Sequence, residues 1–195
     1  IVRADEVEFR NDISNVFQAC YFTNTNGNKL SQGMFYQFYN ALYRTNLILQ
    51  KLEEQQKTFS TEFINKIKGE CLFIRGFYLF QLGKEFKDAP LRLTASQSPS
   101  NFPLAKSSQA EIWEQATKDL QTAAILLPLQ NSIIGKPTKG AAFAVLGKIY
   151  VYSEKFEKAI EVLEPLTKAP YTYHLVNDFA WNFDEAHENN AESIF

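Results

Sequence analysis

The sequence predicts an all-α chain of helical hairpins joined by irregular loops. Three observations carry that prediction. Apolar residues recur near a 3.6-residue period in segment after segment. Polar, Pro-bearing stretches with helix-start and helix-stop signals separate those segments. One pair of segments also has the residue spacing of a helix–turn–helix repeat.

The elements follow in order. Residues 5–20 are expected as a first helix, and 21–33, "YFTNTNGNKLSQG", as a polar loop. Residues 34–52 place Phe35, Phe38, Leu42 and Leu49 near a helical period. A longer helix spans 61–87 and stops before "KDAPL", where Pro90 disfavours helical backbone at Ala89. Residues 94–107 read as a loop; "SQAE" at 108–111 then reads as a capping box, with Ser108 as N-cap and Glu111 three residues on. The helix it starts runs to about Leu127, with Ile112, Ala116, Leu120, Ala123 and Leu127 on one face and Pro128 as its stop. After the loop "LQNSIIGKP", two further helices cover Thr138–Ser153 and Lys155–Leu163, the last ended or kinked by Pro165. Beyond Pro170 the sequence is aromatic and irregular, with short strands at most.

The 61–87 helix carries Gly69, Gly76 and Gly83, although each glycine costs a helix up to about 1 kcal/mol against Ala. Their spacing of seven sets them in line on one face, a stripe that admits a neighbouring helix closely. The rest of the surface is apolar nearly all round, as in a central helix packed on several sides. Gly83 alternatively marks the beginning of the helix end. Glu70 and Arg75 point about 140° apart and cannot pair with each other. Each is expected to find a partner on another helix, because an unpaired buried charge is costly.

In "FAVLGKIYVYSEKFEKAIEVLEPLTKAP", Leu146-Gly147-x-x-Tyr150 is followed by Ala159, Leu163 and Pro170. This is close to the tetratricopeptide pattern, with Phe143 in the Trp position and Leu163 in that of the Phe. Gly147 permits close helix approach, and Tyr150 and Ala159 interlock a large residue with a small one. The tetratricopeptide-like hairpin thus spans 138–170, and the other hairpins match the repeat poorly.

Composition narrows the function. Twenty basic against 22 acidic residues give a formal charge of −2, with no basic stripe for nucleic acid. Cys20 and Cys71 form neither a disulfide framework nor a metal site, and Cys71 reads as a buried small hydrophobe. His174 and His187 are thirteen apart and indicate no metal site. No acid/base pair, nucleophile motif or phosphate loop appears, so neither catalytic residues nor a cofactor are expected. No apolar run reaches the roughly 18–20 residues of a membrane span. The 195 residues fit a single helical domain over 1–195, expected to be part of a longer protein.

Several motifs then agree in order: "YNALYRTNLIL", "KGECLFIRGFYLFQLGKEFKDAPL", "SSQAEIWEQATKDLQTAAILLP", the helix start "GKPTKGAA", and the late "NNAESIF". Over residues 35–195 the chain resembles the SusD/RagB family of outer-membrane glycan-binding lipoproteins of Bacteroidetes. Gly76 stands where that family usually has Ala, and "KDAPL" lacks the usual Gly. The resemblance implies the N-terminal helical part of a longer, non-enzymatic surface lipoprotein. Such a protein lies on a TonB-dependent, SusC-like transporter and delivers oligosaccharide or peptide to it. Its membrane attachment would be a lipid anchor not present in this chain.

Sugar binding needs flat aromatic faces beside amide or charged groups. The loop at 21–33 offers Tyr21, Asn24, Asn26 and Asn28; "FAWNF" offers Trp181. Trp113, Phe73, Phe77 and Tyr150 are expected in the core or at interfaces. The other reading from a different class is a tetratricopeptide scaffold that binds a protein and no sugar. Such a solenoid would show its period along the whole chain.

Overall fold

The computed structural model describes residues 14–21, 23, 25, 27–95 and 103–195. Their contacts gather into two compact units, one ending at Ala41 and one running from Leu42 to Phe195. Six α-helices lie in the described residues: α1 Ser14–Cys20, α2 Lys29–Glu54, α3 Thr61–Phe86, α4 Gln109–Leu126, α5 Lys139–Tyr152 and α6 Phe156–Leu163. The helix expected over 5–20 is seen from Ser14; its earlier part lies outside the described residues.

In the first unit, α2 begins at Lys29, inside the segment expected to be a loop. Asn28 explains the early start. Its Oδ1 accepts from the backbone N–H groups of Leu30 and Ser31 at 3.0 and 3.3 Å, meeting two donors that a helix start leaves without partners.

In the second unit, α3, α4, α5 and α6 pack each on the next. Ser60 caps α3, its hydroxyl accepting from Phe63 N at 3.2 Å. The capping box of α4 is present in full, Ser108 Oγ accepting from Glu111 N and Glu111 Oε2 from Ser108 N. Thr138 caps α5 by accepting from Ala141 N. After α3, Lys87 takes a left-handed φ of 57°. Ala89–Pro90 (β1) then pairs antiparallel with Lys106–Ser107 (β2), a two-residue ladder that apolar periodicity does not signal.

The glycine stripe of α3 receives α4. A Cβ on Gly69 would lie 3.0 Å from Leu126 Cβ, one on Gly76 2.7 Å from Leu120 Cγ, and one on Gly83 2.5 Å from Trp113 Nε1. Gly83 therefore belongs to the packed face and does not mark the helix end. Trp113 Nε1 donates to Phe80 O at 3.1 Å, and the residue is buried. From Gly69 to Gly83 only Ile74 is exposed, so the middle of α3 is the centre of this unit. Leu79 and Leu82 are fully enclosed there, as are Leu120 and Ala123 of α4.

A buried polar cluster ties α3 to α4 and to the later part of α2. Arg75 grips Asp119 with two bonds, Nε to Oδ2 at 2.7 Å and Nη2 to Oδ1 at 2.8 Å. Its Nη1 donates to Asn46 Oδ1 at 3.0 Å, and Asn46 Nδ2 donates to Arg92 O. Arg75 thus has the helix-borne partner expected of it. Glu70 instead pairs at 3.0 Å with Lys136, which lies in the α4–α5 loop and not on a helix. In the α5–α6 hairpin, a Cβ on Gly147 would collide with the Leu163 side chain, and Tyr150 and Ala159 are both buried. For Gly147 this is the close helix approach that the tetratricopeptide spacing assigns it.

Candidate functional site

The segment from Tyr171 to Phe195 has no regular strand; it turns through two short 3-10 helices, Phe179–Phe183 and Glu185–His187. Asp178 and Asp184 start them, each Oδ1 accepting an N–H two residues on, from Ala180 and Ala186. Short polar side chains that bond their own backbone make such turns in place of strands.

The late "NNAES" run closes this segment into a loop. His174 N donates to Ala191 O at 3.2 Å. The Glu192 carboxylate spans the loop, accepting from Val176 N at 2.9 Å and Asn182 Nδ2 at 3.1 Å. Asn190 Nδ2 donates to Asn182 Oδ1 at 3.0 Å, and Asn190 Oδ1 accepts from Glu192 N at 2.9 Å. The final residue, Phe195, meets the core residue Phe73 edge-on, ring centroids 5.0 Å apart.

Trp181 rides on this frame and is 36% exposed. One face of its indole is stacked on His187, with centroids 4.5 Å apart and planes 2° from parallel. His187 is itself oriented by Asp184, its Nδ1 lying 2.7 Å from Oδ2. The N–H of Ala186, and then His187, hold the Asp184 carboxyl below the usual carboxylate range. Trp181 and His187 share the wall of two cavities, of about 640 and 340 Å³. The larger is also lined by the amides of Asn182 and Asn190 and the carboxylates of Asp184 and Glu188. A flat apolar ring beside several fixed hydrogen-bonding groups can hold a polyhydroxylated ligand without any covalent step.

The other sequence candidates separate. Tyr21, at the end of α1, is 49% exposed and packs on Phe17 with centroids 4.5 Å apart. Asn24 and Asn26 lie outside the described residues. Asn28 is corrected: at 1% exposure it caps α2 and donates through Nδ2 to Asn15 O and Gln18 Oε1. An Asn in a polar loop reads alike in sequence whether it meets a ligand or starts a helix. Sequence reasoning missed Asn182, Asp184, His187, Asn190 and Glu192. The signal for them was the polar run that follows Trp181, from Asn182 to Ser193, broken by Phe183, Ala186 and Ala191 alone. Among the described residues, no group of three or more His, Cys, Asp or Glu side chains could hold a metal ion. None of the described helices is long and apolar enough to cross a membrane.

The family comparison bears on the helical part of the chain, before the Trp181 loop. Residues 2–151 match the model of a SusD-like family described as starch-binding, associating with outer membrane. The SusD-like protein P2 of Formosa agariphila is 27% identical over 124 residues, 62% of this chain and 25% of that protein. A crystal structure of a SusD superfamily protein from Bacteroides vulgatus is 74% identical with a TM-score of 0.95, covering all of this chain and 42% of the other. A laminarin-binding SusD-like protein is 25% identical with a TM-score of 0.86, covering 94% of this chain and 41% of its own. The chain thus spans between a quarter and under half of the length of these relatives.

Proposed function

Because the chain belongs to the SusD-like family, we propose that it is part of a surface protein that captures glycans non-covalently and hands them to a TonB-dependent transporter. Its place would be the outer face of the outer membrane. The observation that carries this reading is the Trp181 loop, an exposed indole stacked on His187 in a loop that Glu192 and Asn190 cross-link, beside a cavity rich in amides and carboxylates. Carbohydrate rings present a C–H face that settles on an aromatic plane, while their hydroxyls take hydrogen bonds from the surrounding groups. The binding of laminarin by a similar protein agrees with a glucan ligand. Tyr21 is the other proposed contact, with Asn24 and Asn26 of the same loop.

Nothing in the proposed mechanism requires bond making. Capture followed by release to a partner needs modest affinity and a surface for that partner. The tetratricopeptide-like hairpin offers one: Tyr152, Phe156 and Ile160 are 55, 54 and 61% exposed, an apolar group at the end of α5 and along α6.

Affinity electrophoresis of the full-length protein through gels containing laminarin, starch, xylan or dextran tests the reading. Retardation by at least one of them is expected, weakened by alanine at Trp181. Free migration in every gel, with a stable complex to a protein partner, would favour a protein-binding scaffold in its place.

A further inference from the structure

The charge of the chain is distributed unevenly. Residues 171–195 contain five acidic residues and no Lys or Arg. The whole chain carries a formal charge of −2, so this one segment is more acidic than the 195 residues taken together. The acidity is not spread over an unrelated surface. Asp184, Glu185, Glu188 and Glu192 all line the larger cavity beside Trp181. Among the described residues, no Lys or Arg lines either cavity that Trp181 and His187 share. The imidazoles within reach are His174, on the smaller cavity, and His187, which is already stacked on the indole and turned toward Asp184.

We infer that the Trp181 cavity selects neutral polysaccharides and rejects those bearing carboxylate or sulfate groups. The inference rests on the glycan reading above and narrows its substrate class. Recognition of an anionic sugar uses Arg or Lys, whose donors match carboxylate and sulfate oxygens. A site without them leaves those oxygens unmatched and sets them against four like charges. Hydroxyls suffer no such conflict: carboxylates accept from them, and Asn182 Nδ2, with one N–H given to Glu192, keeps a second to donate to an uncharged ring. The selectivity therefore has an attractive component for hydroxyls and a repulsive one against anions, the combination from which specificity is commonly built.

The test compares polysaccharides that differ in charge on the same backbone. Binding of the full-length protein to dextran and dextran sulfate is measured by affinity electrophoresis and calorimetry. Laminarin, starch and polygalacturonate widen the panel, and each is run at low salt and at about 0.5 M salt, where surface charges are largely screened. At least one neutral glycan is expected to bind, with the anionic ones at least about tenfold weaker at low salt and the gap narrowing as salt rises. Glu185→Gln with Glu188→Gln is expected to raise affinity for an anionic polysaccharide about threefold to tenfold at low salt. An anionic polysaccharide that binds as tightly as any neutral one, and whose binding Trp181→Ala abolishes, overturns the selectivity and leaves the glycan reading standing. Neutral binding that is indifferent to Trp181→Ala and to Trp181→Phe overturns the inference by moving the site elsewhere. Silence from the entire panel overturns the glycan reading and the inference together.

Discussion

Trp181 is held in place by residues that themselves stand in irregular backbone. Asn190 and Glu192 bond across the loop to Asn182 and Val176, and Asp184 orients the His187 ring that supports the indole. Replacing Trp181 by Ala is expected to weaken glycan binding by about tenfold, equivalent to about 1.4 kcal/mol, while the melting temperature stays nearly unchanged. Calorimetry with a matched thermal melt separates the two effects. Asp184 has a lowered pKa in the fold, so its contribution is present above the usual carboxylate value and fades only as pH falls through its own, lower one. Trp181 fluorescence is accordingly expected to hold steady down to mildly acidic pH and to change below that range; Asp184→Asn removes the transition. Cys71 behaves in the opposite sense. Burial, and then the Glu70 carboxylate, raise its thiol to about 11 from an ordinary 9.0, so stability is full below that ordinary value and is lost as pH rises between them. Urea midpoints at pH 8 and pH 10.5 should differ less in Cys71→Ala than in the parent protein. At this scale the sequence revealed Trp181 by residue type alone. Its supporting residues were hidden because Asn, Asp and Glu in a loop have no period to betray which of them bond to one another.

The helices were more legible, because their cores repeat. Gly69, Gly76 and Gly83 announced a close packing, and α4 fills it with Leu126, Leu120 and Trp113. Adding a methyl group there should be costly: Gly76→Ala and Gly83→Ala are each expected to lose about 1–3 kcal/mol by overpacking. Gly33 gives the contrast. It lies inside α2 with nothing within 4 Å of an added Cβ, so Gly33→Ala should gain about 0.5–1 kcal/mol from helix propensity alone. Denaturant unfolding of the three variants checks both signs. Helix beginnings divide by kind. Ser108 and Glu111 formed a recognisable capping box, whereas Asn28 capped α2 without the companion Glu or Gln three residues later, and the expected start fell at residue 34. The β1–β2 ladder escaped notice because two residues per strand are too few to show alternation.

At the scale of the molecule, the second unit is organised around α3. Apolar packing supplies most of its faces, and the Arg75–Asp119–Asn46 cluster fixes which side chains meet. Removing one partner leaves the other charge buried, and Arg75 and Asp119 side chains are only 12 and 4% exposed. Asp119→Ala should therefore cost about 3–5 kcal/mol, while Arg75→Met with Asp119→Leu should recover most of that loss. The clue in the sequence was a charge on the apolar face of α4, three residues from Ala116. The charge partner was not readable, since no local spacing links residues 44 apart. The proposed glycan capture rests on two separate supports, the family match over residues 2–151 and the Trp181 loop beyond it. The most direct test is a crystal structure of the full-length protein with an oligosaccharide from its best neutral polysaccharide. A sugar ring lying against the free side of Trp181, with hydroxyls bonded to Asn182, Asn190 or Asp184, is the predicted result. A well-ordered oligosaccharide bound elsewhere, with the Trp181 cavity empty, would contradict the account.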